Sequence, residues 1–247
     1  MDSLIVVVAL GAVAAGFVQG LSGFGFGLVA MSFWAWRVDP QLAAVLAVFG
    51  SLAGQLLAVF TVRRAVRAQH LLPFVAGGVV GVPIGVWLLP MLDANLFKAV
   101  LGTLLVTWGP LMLVAGQLPR IRHGGRVADA AIGAVGGVMG GIGGFTGTLP
   151  TLWCTLRGFD KATQRAVIQN FNLATLAVTF AFYLGRGLVT SAMLPMLGIV
   201  AAALLVPGLL GARLYIGISE AGFRKLVLGL LTLSGAALLA SALPKLL

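Results

Sequence analysis

Two glycine-rich stretches carry the chemistry most clearly suggested by this chain. GLSGFGFG runs from Gly20 to Gly27 and GGIGGFTG from Gly140 to Gly147, each inside an apolar run of membrane length. A helix broken there leaves N–H groups without intrahelical partners at the start of its returning half, together with a partial positive charge. Glycine has no Cβ, so the backbone at Gly23, Gly25, Gly144 and Gly147 can approach an anion closely. The competing role for each glycine is close helix packing, which is widespread in membrane proteins. Two aligned clusters at matching breaks favour the binding role.

Polar side chains inside apolar runs must find a partner or face a cavity. Ser22 and Thr146 sit at the two breaks, and Thr148 and Thr151 follow the second. Ser51 and Gln55 are four residues apart and share one helix face. Gln169, Asn170, Asn172, Thr175 and Thr179 form the densest polar group within any apolar run. The expected substrate contacts are therefore Ser22, Gly23, Gly25, Ser51, Gln55, Gly144, Thr146, Gly147, Gln169, Asn172 and Thr175. Ser51 and Asn172 are the expected facing pair, against the alternative that such residues only bond neighbouring helices.

Other chemistries find no support. No Walker sequence is present, and the glycine clusters lack the preceding strand of a dinucleotide fingerprint. His70 and His123 stand in basic loops without Cys or carboxylate neighbours, so neither a metal nor another cofactor is expected. Cys154, the single cysteine, has no adjacent base and reads as a buried thiol. Asp39 and Asp160 are expected to cap the helices that follow them, and no Asp or Glu lies deep in an apolar run. The five tryptophans read as interfacial or packing residues. The chain is not expected to be an enzyme.

The elements that must position these residues follow from composition. With 60% hydrophobic and 9% charged residues and a mean hydropathy of +1.09, the chain is a polytopic all-α membrane protein. The net charge of +10 is spread in short clusters beside apolar runs, as in cytoplasmic loops, which argues against nucleic acid as a partner. Met1-Asp2-Ser3 lacks a basic leader, so the apolar run from Leu4 is expected in the mature protein. Eight apolar segments are drawn, and the first (Leu4 to Trp36) and fifth (Val127 to Leu156) are the long ones that contain the breaks.

Sliding the chain by 121 positions superposes Gly20 on Gly141, Gly23-Phe24 on Gly144-Phe145, Asp39 on Asp160 and Ser51 on Asn172. This divides it into a first repeat at 1–117, a basic connection at 118–126 and a second repeat at 127–247. If the first and fifth segments enter and return as re-entrant hairpins, Arg63, Arg64, Arg67, Arg120, Arg122, Arg126, Arg157, Lys161, Arg165, Arg213, Arg224 and Lys225 share one face. Only Arg37, Lys98, Arg186 and Lys245 then lie opposite, a strong positive-inside bias. Straight crossing divides the basic residues evenly. The expected fold is thus two inverted repeats, each a Gly-broken re-entrant hairpin plus three transmembrane helices, with both termini non-cytoplasmic.

The doubled glycine stretch, the aspartate after each and the two-fold build resemble the TauE/SafE family of bacterial membrane transporters, over essentially the whole chain. The second copy keeps that family's proline as Pro150, where the first has Val29, and the first interleaves Phe24 and Phe26 with its glycines. The resemblance implies a secondary transporter in the bacterial inner membrane, carrying sulfite, organosulfonates or related small organic acids by alternating access. The expected partners are the small anion and the lipid bilayer, and the sequence permits a homodimer without assigning a surface to it. The rival readings are a passive anion channel and a non-transporting membrane assembly subunit.

Overall fold

The computed structural model describes residues 2–61, 68–121, 123–214 and 220–246. Ten α-helices run through them: α1 (Asp2–Ser22), α2 (Phe26–Trp34), α3 (Pro40–Thr61), α4 (Ala68–Leu88), α5 (Ala94–Val114), α6 (Gly125–Gly143), α7 (Thr148–Leu156), α8 (Lys161–Gly185), α9 (Leu194–Leu214) and α10 (Glu220–Leu246). No strand occurs among the described residues. Seven helices, α1, α3, α4, α5, α8, α9 and α10, are long and apolar enough to cross a membrane. The chain is a multi-pass all-α membrane protein.

Both long apolar segments break at their glycines. α1 ends where Gly23 and Gly25 take φ of 82° and 92°, and α6 ends at Gly144 with φ of 76°. These left-handed values are strained for any residue with a Cβ, so the chain stops its helix there. The helices beyond, α2 and α7, have 9 residues each, about 14 Å at 1.5 Å per residue. That is half of the roughly 30 Å hydrocarbon core. Pro150 sits in the first turn of α7, where an N–H has no helical partner to lose.

Each short helix folds back along the one before it, and an indole fastens the return. Trp34, at the end of α2, donates Nε1–H to the carbonyl of Val8 near the start of α1 at 3.3 Å. Trp153, near the end of α7, donates to Asp129 Oδ1 near the start of α6 at 2.7 Å. Gly11 makes the first return possible, because a Cβ there would overlap the Trp34 ring.

Small residues let the long helices touch backbone to backbone. Gly77, Gly81 and Gly85 of α4 meet, in ascending order, the carbonyls of Ala130, Ala134 and Val138 of α6, so the two helices run parallel. Gly16 meets Leu204 and Gly20 meets Gly208, so α1 and α9 run parallel as well. α5 and α10 are antiparallel, because Gly102 faces Gly235 and Leu239 whereas Gly109 faces Thr232 and Leu228. α3 and α8 are antiparallel too. Phe49 lies beside Phe180 at 5.9 Å, while Gln55 shares a cavity wall with Gln169. Had every apolar segment crossed straight through, α5 and α10 would point the same way.

Three aspartates start helices. Asp39 Oδ1 accepts the amides of Gln41 and Leu42, Asp93 those of Asn95 and Leu96, and Asp160 that of Thr163 with its hydroxyl. The Thr163 hydroxyl, followed by its amide, holds the exposed Asp160 carboxyl below its ordinary value of 3.8. Its capping is therefore complete above the unfolded value and is lost only as pH falls through the lowered one. Near neutrality this cap does not respond to pH. His70 lies within α4 and its ring sits 5.3 Å from Phe159. It is not the loop residue its basic surroundings suggest, because α4 begins three residues before the apolar run. Arg63, Arg64, Arg67 and Arg122, on which much of the charge bias rests, lie outside the described residues.

The glycine contacts give a direct test. Gly81→Ala drives a methyl into the Ala134 carbonyl and should destabilise by about 1–3 kcal/mol, lowering Tm in detergent by several degrees. Gly229 meets nothing within 4 Å, so Gly229→Ala should leave Tm unchanged or raise it. Equal effects of the two substitutions would contradict this packing.

Candidate functional site

The two hairpin tips meet. A Cβ on Gly27, at the start of α2, would stand 2.9 to 3.0 Å from the carbonyls of Gly144 and Gly143. The tips are joined to the long helices by side-chain bonds. The Ser22 hydroxyl lies within hydrogen-bonding distance of two carbonyls of its own turn, Val18 at 2.7 Å and Phe24 at 2.6 Å, with one proton to share between them. Gln55 Nε2 donates to the Gly23 carbonyl at 2.9 Å, and Thr146 Oγ1 donates to Asn172 Oδ1 at 2.8 Å. Trp108 of α5 donates to the Thr148 carbonyl at 2.9 Å, holding the start of α7.

Between the tips lies a small cavity of about 10 Å³, walled by Gly25, Ser51, Gln55, Gly144, Thr146, Gly147 and Asn172 among others. Seven of the eleven sequence-derived site residues therefore surround one space. Ser51 and Asn172 both line it without bonding each other. Gly147 has an ordinary helical φ of −79°. Its glycine serves close approach instead, since a Cβ would stand 2.8 Å from the Asn172 amide.

A larger cavity of about 340 Å³ reaches the first tip from one side, a size suited to a small molecule. Ser22, Gly23, Phe24 and Gly25 of that tip line it, with Ser22 itself exposed. Thr151 and Thr155 of α7 and Lys161, Gln164, Arg165 and Gln169 of α8 form a polar wall. Leu21, Leu28, Trp108, Met112, Leu228 and Leu231 supply an apolar one. Phe24 meets Trp108 edge to face at 6.0 Å, fixing the aromatic corner. Lys161 and Arg165, one turn apart, give the mouth a positive potential that concentrates anions.

Gln169 is the polar side chain most in need of a ligand. It is 1% exposed, it packs against Gly23, and neither Nε2 nor Oε1 has a protein hydrogen-bond partner. The Thr151 hydroxyl, also buried on this wall, lacks one too. Such groups cost about 1–3 kcal/mol each when left dry. Thr175 takes another position: it lies against Gly78 of α4 and lines none of these cavities.

Among the described residues the counterpart positions on α3 are apolar and closely packed. The positions of α3 that correspond to Gln164, Arg165, Ile168 and Gln169 are Ala43, Ala44, Ala47 and Val48, all fully buried. Trp34 is fully buried as well. The polar wall of the larger cavity therefore comes from α7 and α8, and none of its lining comes from α3 among the described residues.

A family model described as "Sulfite exporter TauE/SafE" matches residues 8–238. The chain belongs to this family. Searches of curated proteins and of solved structures returned no match. As a member of the TauE/SafE family the chain is a membrane transporter and not an enzyme.

Four residues that shape the hairpins are not singled out as site residues in the sequence. Gln19 stands alone in the apolar run of α1, one turn before the break, yet it is buried and donates to the Ser51 carbonyl. Trp108 and Met112 reach the cavity from α5, far along the chain. Asp129, expected at a segment end, is 6% exposed and accepts from Trp153 at 2.7 Å and Arg157 at 3.3 Å. This is an ion pair that fastens α7 to α6. Asp129→Asn keeps an acceptor for Trp153, whereas Asp129→Leu removes it and strands Arg157. Tm should fall in the order wild type, Asn, Leu, with the Leu variant several degrees lowest. Indistinguishable values would show that the clasp contributes nothing.

Proposed function

We propose that this TauE/SafE protein is a secondary transporter of small anions in the bacterial inner membrane. Its substrates are sulfite, short organosulfonates or related small organic acids, and it works by alternating access. The observation that carries the reading is Gln169, buried without a protein partner beside the left-handed Gly23–Gly25 turn, in a cavity that Lys161 and Arg165 also line. The N–H groups in the first turn of α2, the Gln169 amide and the Thr151 hydroxyl supply donors to an oxyanion, and Arg165, one turn before Gln169 on the same cavity, supplies a positive charge. Asn172, Thr146 and the Gly144–Gly147 tip are the counterparts that engage the substrate when access switches sides.

The packing directions support two inverted repeats, 1–117 and 127–247, joined by 118–126. Counterpart helices α5 and α10, and α3 and α8, run antiparallel, while α1 with α9 and α4 with α6 pair across the halves. Alternating access in such proteins is a rocking of one repeat against the other around a fixed site. A side open at Lys161 and closed at Trp34 is one end of that cycle. With the basic face cytoplasmic, the open side is the cytoplasmic one and both termini lie outside. The same face should then label cysteines placed at Arg64 and at Lys161 only from the cytoplasm. Labelling of the two from opposite sides would sink the inverted arrangement.

Uptake into proteoliposomes tests the activity. Labelled sulfite, sulfoacetate and acetate should distinguish sulfur anions from a plain carboxylate, and preloading with unlabelled substrate should accelerate entry, as a carrier does and a channel does not. Gln169→Ala should lower uptake by about 10-fold or more, the loss expected for a hydrogen bond to a charged group. Gly25→Ala should act likewise, because its φ of 92° strains an alanine. Full activity in both folded variants would overturn the placement of the site.

A further inference from the structure

We infer that the first hairpin tip also holds a sodium-sized monovalent cation, on Gln19, Ser51 and Gln55. The cavity that would hold it lies between the tips and is distinct from the larger one that Gln169 and Thr151 line. Gln19 Nε2 is committed to the Ser51 carbonyl at 2.9 Å and Gln55 Nε2 to the Gly23 carbonyl at 2.9 Å. These bonds fix both amide orientations, and each leaves its carbonyl oxygen turned elsewhere.

Neither Gln19 Oε1 nor Gln55 Oε1 has a protein partner, and Ser51 Oγ has none either. All three side chains are 5% exposed or less and line the same cavity of about 10 Å³. That volume suits an occupant the size of one water molecule. Two amide oxygens that can only accept repel an anion and attract a positive charge or a donor. Gln55, expected among the anion contacts, therefore presents an acceptor there, while the Ser51 hydroxyl can offer its lone pairs to the same occupant.

The backbone adds to the same field. Gln19 lies in the last turn of α1, whose C-terminal carbonyls carry partial negative charge. Gly54 lets Gln19 reach α3, since a Cβ there would stand 2.5 Å from its Oε1. Broken membrane helices use this polarity in general: the half-helix C-terminus with nearby carbonyls takes the cation, and the facing N-terminus takes the anion. Here α1 ends and α2 begins within three residues of each other, so one break presents both signs. The cavity lining contains no ionisable side chain among the described residues. Neutral oxygens alone suit a monovalent ion over a divalent one, and nothing there can carry a proton. A co-bound cation would offset the charge of an anion taken into the membrane.

The experiment needs no anion and no transport, so its failure is distinguishable from failure of the proposed activity. Purified protein in detergent is melted in sodium chloride, potassium chloride and choline chloride at equal ionic strength, and binding of radioactive sodium is measured at equilibrium. Sodium should raise Tm by about 2 °C or more over choline, saturating with concentration, and bound sodium should approach one ion per chain. Ser51→Ala removes an orphan hydroxyl, so its Tm in choline should match or exceed that of the wild type. Its sodium affinity should fall about 10-fold. Gln55→Leu should abolish both sodium responses. Equal Tm in the three salts with no sodium bound would mean that water fills the cavity and would overturn the proposal. An equal response to potassium would overturn the sodium-sized assignment. A sodium response unchanged in both variants would place the ion elsewhere.

Discussion

Lipid offers no hydrogen bonds, so a helix interrupted inside a bilayer must find every missing backbone partner within the protein. The rest of this structure answers that constraint. The break after Ser22 leaves carbonyls on one side and N–H groups on the other, and so does the break after Gly143. Gln55 accepts the task at Gly23, Ser22 bridges its own turn, and Trp108 holds the Thr148 carbonyl. The groups these bonds do not reach are the ones left to a ligand.

Close packing follows from the same need. Two tips can face each other only if their backbones touch, which Gly27 against Gly143 and Gly144 allows. The helices flanking them must also approach closely, which the glycine rows of α4 and α6 allow. The short returning helices have too little length to hold themselves in place. An indole hydrogen bond at the far end of each, Trp34 to Val8 and Trp153 to Asp129, supplies the fastening. Side chains at matching sequence positions differ: Gln164, Arg165 and Gln169 line a cavity, whereas Ala43, Ala44 and Val48 are fully buried.

Much of the fold could be read from the sequence because its signals are local. Glycine clusters inside overlong apolar runs marked both breaks, and Asp39 and Asp160 marked the helix starts that follow. The candidate site drew on polar residues near those breaks, and the structure places Ser51, Gln55, Gln169 and Asn172 around the two tips. What could not be read depended on which helix neighbours which. Thr175 shares a helix stripe with Asn172, yet α4 covers it at Gly78. Asp129 looks terminal in sequence, but the return of α7 buries it under Trp153 and Arg157. Gln19 carried a usable signal, a single amide in an apolar run one turn before a break. The orientation of its amide, which decides the charge it prefers, is set by Ser51, 32 residues away.

In the proposed function an oxyanion sits at the first glycine tip, against Gln169 and the opening turn of α2. Selenite is a chemical analogue of sulfite whose selenium can be located directly by anomalous diffraction. Crystals of the protein grown with selenite should show one strong selenium peak within hydrogen-bonding distance of Gln169 Nε2 and the N–H groups after Gly25. A peak only at the Lys161 and Arg165 mouth, or none at the tips in a well-ordered crystal, would contradict the account.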